Sequence, residues 1–206
     1  NPRTSEIREI PNGSISANSA LLFVIINSFL FISTTYFINT ICFYLSPIAL
    51  LIILGYSYTK RFTALCHLIL GLGLSLAPIG SYLAVSGEFN IIPIFFSVAV
   101  LFWVSGFDII YSLQDEDFDK EKKLHSIPVI IGTKHALQLS KLFHFFTFSA
   151  LSIVGSLGDF GGYYWIGFWV FSALLIYQHT LIKENDLSKI NLAFFTTNGI
   201  ASIIFG

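Results

Sequence analysis

The chain has 206 residues, 54% of them hydrophobic and only 11% charged, with a mean hydropathy of +0.75. Soluble domains carry about a quarter charged residues, so a water-soluble enzyme is excluded and no nucleic-acid partner is expected. The net charge of −1 says little by itself; where the charges fall says much more.

The chain opens on a polar stretch, NPRTSEIREIPNGSIS, that does not read as a signal peptide. Apolar segments follow near residues 17–36, 38–58, 64–86, 90–112, 136–156, 161–182 and 190–206. A spanning helix needs roughly 20 mostly apolar residues. The segments therefore predict an all-α, polytopic transmembrane bundle, with residues 1–206 forming one domain. Cys42 and Cys66 lie in separate apolar segments without Cys-x-x-Cys spacing, which points to neither a disulfide framework nor a zinc site. Methionine is absent and the chain ends within an apolar run, so it is expected to be a fragment of a longer membrane protein.

All the basic residues occupy alternate connections. Arg3 and Arg8 precede the first segment. Lys60 and Arg61 lie between the second and third. Lys120, Lys122, Lys123, Lys134 and Lys141 fall in or near the connection between the fourth and fifth, and Lys183 and Lys189 between the sixth and seventh. On the other side stand only the acids Glu88 and Asp159. The positive-inside rule makes the basic side cytoplasmic. Gly71, Gly73, Ser75 and Ala77, with Pro78, give the third segment a small-residue face suited to close helix packing.

Chemistry concentrates where the fourth segment ends, in DIIYSLQDEDFD at residues 108–119. At about 100° per residue, Asp108, Tyr111, Asp115 and Asp119 share a stripe about 80° wide. Glu116 and Asp117 fall off it and, with Glu121, read as solvated. Asp108 is harder to dismiss, since an apolar run precedes it and Ile109 and Ile110 follow. A carboxylate within hydrocarbon costs about 2.5–3.5 kcal/mol on insertion scales, so it is expected to face a polar cavity. Stacked carboxylates repel unless a cation lies between them. Hard oxygen donors suit Mg²⁺, which takes one or two carboxylates plus water and substrate phosphate.

Candidate anion-binding groups lie in the same connections. Tyr56 and Lys60 share one helix face, Arg61 follows them, Arg3 and Arg8 lie in the opening loop, and His125 and Ser126 follow the stripe. Cations beside a carboxylate-bound Mg²⁺ would hold a ligand such as diphosphate. A cation transporter using the stripe as an ion path is the reading from another class. It predicts polar residues continuing through the membrane, whereas here the charges stop at one side, with Asp108 the deepest. A purely structural subunit gives no reason for Asp108.

The stripe Asp108, Tyr111, Asp115 and Asp119 resembles the second aspartate-rich motif of the UbiA superfamily of membrane aromatic prenyltransferases. Tyr56 and Lys60 match that superfamily's YxxxK element. The opening stretch resembles its RTxxRPLPxG loop, with Arg3 and Arg8 at the two arginines and Glu9 replacing the usual proline. The stretches YTKRFTALCHLILGLGLSLAPIGSYLAVSG, LHSIPVIIG and GGYYWIGFWVFSALLIYQHTLI are similar to the 4-hydroxybenzoate polyprenyltransferase branch. The resemblance covers nearly the whole chain in order.

The resemblance implies a nine-helix fold of which this chain holds helices 3 to 9. The first aspartate-rich motif, NDxxDxxxD, is then expected before Asn1, and this polypeptide alone is expected to be inactive. It implies Mg²⁺-dependent transfer of a polyprenyl group from its diphosphate to the carbon ortho to the hydroxyl of an aromatic acid, in quinone biosynthesis. The acceptor is 4-hydroxybenzoate or, alternatively, a dihydroxynaphthoate on the way to menaquinone. Asp115 and Asp119 would bind metal, and Asp108 would orient the site or assist with the acceptor. Lys60, Arg8 and Arg3 would contact diphosphate, with Tyr56 and Tyr111 positioning it or the cation. Arg61, His125 and Ser126 are further candidates for substrate contact. The expected partners are the two substrates and the bilayer, with no obligate protein partner. The expected location is the bacterial inner membrane, with the site near its cytoplasmic face.

Overall fold

A computed structural model describes residues 8–205. The helices, in chain order, are α1 (Ala17–Ile38), α2 (Thr40–Thr59), α3 (Cys66–Ser86) and α4 (Ile91–Ser112). A 3₁₀ turn (Leu113–Asp115) leads to the short α5 (Glu116–Glu121), followed by α6 (Ile127–Leu157), α7 (Gly162–Leu181), a π-helical turn (Leu192–Thr197) and α8 (Asn198–Phe205). Among the described residues the only extended pairing is an isolated bridge between Lys183 and Asp186. Among the described residues, five stretches are long and apolar enough to cross a membrane: α1, α2, α3, Ile91–Glu121 and α6. Helix α7 has the length but carries Gln178, His179 and Thr180 in its last turns, and Leu192–Ile204 is a shorter apolar helix.

Local chemistry sets the boundaries. Ser16, Asn39 and Asn90 cap α1, α2 and α4, their side-chain oxygens accepting backbone N–H groups that the first turn leaves unpaired. Gly87 ends α3 at φ +71°, a left-handed conformation that favours glycine. Asn39 also bridges helices, its amide donating to the Leu83 carbonyl at 2.8 Å. That bond joins the α1–α2 link to the end of α3. At the opposite end, the His125 amide donates to the Lys60 carbonyl at 2.7 Å, joining the α2–α3 and α5–α6 connections.

Helix α4 is the centre, packed between α3 and α6. The close approach requires glycine twice. A Cβ at Gly71 would meet the Leu101 carbonyl and Ser105 of α4, and one at Gly106 would meet the His144 ring and the Ser140 carbonyl of α6. Gly73, by contrast, looks towards Ile52 and Ile53 of α2. Hydroxyls reinforce the sandwich: Ser105 donates to the His67 carbonyl and Ser140 to that of Gly106. One buried cluster, including Ile109, Ile110, Leu113 and Leu137, lies at the end bearing the acidic stretch. A second, including Ala99, Leu151, Phe168 and Phe171, fills the rest. A pair of histidines, buried His144 through Nδ1 and half-buried His179 through Nε2 at 2.8 Å, crosses from α6 to α7.

Two expectations change. Helix α6 begins at Ile127, about two turns before the expected 136, because residues 127–131 coil before Gly132 kinks the chain at φ +77°. Pro128 within the first turn fits a helix start, although Pro and Gly together read as loop punctuation in the sequence. The fourth segment also does not run on as one α-helix, since the 3₁₀ turn interrupts it at Leu113.

Candidate active site

The end of α4 and the α5–α6 connection form the site. Asp119 on α5 is buried, 1% exposed, and its Oδ2 lies 2.7 Å from the Lys60 Nζ, which is 30% exposed. A carboxylate out of water costs several kcal/mol unless it is paired, and Lys60, at the C-terminal end of α2, is that partner. Apart from this ion pair, neither Asp119 oxygen accepts a hydrogen bond among the described residues. The Asp119 carbonyl accepts the Leu124 amide at 2.8 Å, so the loop closes over the pair.

Asp108 lies deeper along α4. Its Oδ2 is 2.7 Å from the Nδ1 of His67 on α3, a residue 3% exposed and absent from the sequence-based candidates. The Ile127 amide, at the start of α6, donates to His67 Nε2 at 3.3 Å. A backbone N–H only donates, so Nε2 is the acceptor nitrogen, and the ring's proton at Nδ1 points at Asp108. A lone histidine in an apolar segment was the available signal; its partner, far along the chain, was not.

Tyr111, one turn beyond Asp108, stacks on Phe194 of the π turn at 4.1 Å and 28°. Phe195 meets the same ring edge-on at 6.0 Å. Asp115 ends the 3₁₀ turn, half-buried. Ser126 is fully buried, and its hydroxyl has no hydrogen-bond partner among the described residues.

Other expected residues are placed differently. Arg61 is exposed, its guanidinium 5.5 Å from the Tyr58 ring centroid, so a cation–π contact holds it away from the carboxylates. Arg8 is exposed and makes no ion pair among the described residues; Arg3 lies outside them. Tyr56 is exposed, and its hydroxyl makes no hydrogen bond to a carboxylate among the described residues. The His125 ring is exposed, while its backbone amide binds Lys60 and its carbonyl accepts the Cys66 thiol at 3.6 Å. Glu116, expected in solvent, is only 16% exposed and joins Lys120 at 2.6 Å and the Thr133 hydroxyl at 2.8 Å. It therefore ties α5 to α6 just past the Gly132 kink. Asp117 is exposed as expected.

No group of three or more His, Cys, Asp or Glu side chains is close enough to hold a metal ion among the described residues. The donor set still fits Mg²⁺. Asp119 offers a buried carboxylate oxygen without a hydrogen bond, Asp115 lies one turn earlier, and Mg²⁺ needs only one or two carboxylates when water and phosphate complete its shell. Beside this end, an apolar cavity of about 810 Å³ runs between α3, α4 and the chain's last helix. Phe107, Trp103, Ala77, Phe194 and Gly199 are among its walls, so it reaches the residue preceding Asp108.

The UbiA prenyltransferase family model matches residues 1–200. A 4-hydroxybenzoate octaprenyltransferase of Francisella tularensis is 30% identical over 201 residues, covering 96% of this chain and 69% of that protein. The Tolumonas auensis protein of the same name is 28% identical over 198 residues, with the same coverage. The apo structure of a UbiA homolog from Aeropyrum pernix superposes with a TM-score of 0.90 at 29% identity, covering 100% of this chain and 76% of that one. A digeranylgeranylglyceryl phosphate synthase structure, with a TM-score of 0.75 at 22% identity over 98% of this chain and 76% of its own, bears on the fold alone. A family match along nearly the whole chain, on a helical bundle that superposes on a solved relative, makes this an integral membrane prenyltransferase: the chain belongs to the UbiA prenyltransferase family.

Proposed function

We propose that this prenyltransferase moves a polyprenyl group from its diphosphate to the ring carbon ortho to the hydroxyl of 4-hydroxybenzoate or a similar aromatic acid, for quinone biosynthesis. The observation that carries the reading is the Lys60–Asp119 pair together with an apolar cavity of about 810 Å³ whose lining reaches Phe107, next to Asp108. Space for a lipid tail runs along α4 up to Phe107, and Asp119 of the anion-handling pair lies further along the same chain segment. The names of the Francisella and Tolumonas relatives support the benzoate acceptor.

Asp115 and Asp119 would hold Mg²⁺, which supplies positive charge to the departing diphosphate. Lys60 then contacts the diphosphate as well, exchanging part of its pairing with Asp119 for the ligand's charge. Arg8 and Arg3 join it from the opening loop, and Tyr56 orients it. The stacked rings of Tyr111 and Phe194 present π-faces to the allylic cation, whose charge they stabilise. The largely apolar cavity lining holds the prenyl tail and keeps that side of the cation in an apolar setting. Asp108 receives the acceptor's hydroxyl; as the C–O bond to diphosphate breaks, the adjacent ring carbon bonds the allylic cation, and the proton that carbon then loses goes to the released diphosphate. Basic residues gathered in alternate connections support a site at the cytoplasmic face of the inner membrane.

The test is transfer by membranes carrying the complete gene product, supplied with a polyprenyl diphosphate and either 4-hydroxybenzoate or a dihydroxynaphthoate. Prenylated benzoate is the expected product. Turnover of the naphthoate alone would move the acceptor, and turnover of neither would end this reading.

A further inference from the structure

Asp108 is the deepest carboxylate of the site, and what holds it is a second buried polar side chain, His67. The imidazole is engaged at both nitrogens: Ile127 N–H donates to Nε2 at 3.3 Å, and Nδ1 meets Asp108 Oδ2 at 2.7 Å. Three elements, α3, α4 and the start of α6, therefore converge on one ring. The neighbouring Cys66 thiol donates to the carbonyl of His125, so two consecutive residues of α3 grip the end of the α5–α6 connection. That same connection binds Lys60 through the His125 amide and Asp119 through the Leu124 amide. The deep carboxylate and the Lys60–Asp119 pair are thus fastened to one short loop.

Asp108 keeps one oxygen for other work. Its side chain is 22% exposed, and Oδ1 accepts no hydrogen bond among the described residues. We propose that His67 is a positioning residue: held between the Ile127 amide and Asp108, it fixes the carboxylate so that Oδ1 receives the hydroxyl of the aromatic substrate. His67 cannot itself take a proton from substrate, because Nε2 is occupied by the amide and Nδ1 faces Asp108. A charge-assisted hydrogen bond from the hydroxyl to Oδ1 sets the ring's orientation and leaves electron density at the ortho carbon. The role rests on the aromatic-acceptor reading above.

Glutamine offers a clean discrimination. Its amide supplies both N–H donors and a carbonyl acceptor, so it can replace the bond to Asp108 and the bond from the Ile127 amide. In the complete gene product, in membranes, His67→Ala is expected to lower kcat/KM for the aromatic acid by about 100-fold while KM for the polyprenyl diphosphate stays within about twofold. His67→Gln is expected to recover most of the loss. In an Asp108→Ala background, adding His67→Ala is expected to cost nothing further, since the two act as one unit. A purely structural role would move both KM values together and would persist in the Asp108→Ala background. Either result, or parental kinetics in His67→Ala, overturns the proposal. If His67→Ala does not reach the membrane, His67→Gln against the shorter His67→Asn carries the test: equal kinetics in those two overturn it. A parent enzyme that prenylates no hydroxylated aromatic acid is a different outcome, which removes the functional reading and this role with it.

Discussion

Lys60 at the end of α2 and Asp119 on α5 stand 2.7 Å apart, and the Asp119 side chain is 1% exposed. The pair closes the end of the bundle where the proposed chemistry takes place. Breaking a fully buried ion pair by removing one partner costs about 3–5 kcal/mol. Lys60→Ala should cost less, because Lys60 is 30% exposed and water can reach its place. The expected result is a lower Tm in detergent together with lost prenyl transfer. The double variant Lys60→Met with Asp119→Leu should regain much of the stability while staying inactive, because both charges are then gone. A double variant no more stable than Lys60→Ala would show that the pair is not what holds α2 to α5.

Metal dependence separates the carboxylates. Chelation with EDTA should abolish transfer, and added Mg²⁺ should restore it. Asp115→Ala and Asp119→Ala should each raise the Mg²⁺ concentration needed for half-maximal rate and lower the maximal rate, without loss of membrane insertion. Asp117, exposed on the other side of α5, provides the control: Asp117→Ala should behave as the parent. Full activity in EDTA would remove the metal from the proposed mechanism.

Much of this arrangement was legible from spacing. Alternation of basic connections predicted which loops would meet, and the His125–Lys60 bond joins two of them. The stripe from Asp108 to Asp119 held less well, because a wheel assumes one continuous α-helix. Three residues in the 3₁₀ turn advance about 120° each instead of 100°, rotating α5 by about 60° relative to α4. Asp119 consequently turns inward to Lys60, and Glu116 turns towards Thr133. Arg61 followed Lys60 in the sequence yet faces Tyr58, since consecutive residues at a helix end point in different directions. His67 escaped notice because a hydrogen bond between distant segments leaves no local pattern; only the packed α3–α4 contact creates it.

That contact yields a prediction at its closest points. A Cβ at Gly71 would press on the Leu101 carbonyl, which cannot move without shifting α4. At Gly106 it would press on the His144 ring and on the Ser140 carbonyl. Overpacking of this kind costs typically about 1–3 kcal/mol. Gly71→Ala and Gly106→Ala should each lower the Tm, with Gly71→Ala also weakening transfer because His67 sits one turn before it. Gly80→Ala, where a Cβ meets nothing within 4 Å in the interior of α3, should keep or slightly raise the Tm. Equal Tm values for all three would contradict the close α3–α4 and α4–α6 approach.

The apolar cavity makes the final prediction. Ala77 lines it from α3, opposite Phe194 and Gly199 near the end of the chain. If the prenyl tail lies there, Ala77→Phe shortens the space available to the tail without touching Asp108, Lys60 or Asp119. The penalty should then depend on donor length. A long polyprenyl diphosphate should lose about tenfold or more in kcat/KM, equivalent to ~1.4 kcal/mol in the transition state, while a geranyl-sized donor loses much less. Because both donors carry the same diphosphate, damage to the anion site would lower both alike. Equal losses for short and long donors would therefore place the tail elsewhere, and a length-dependent loss would fix the cavity between α3, α4 and α8 as its channel.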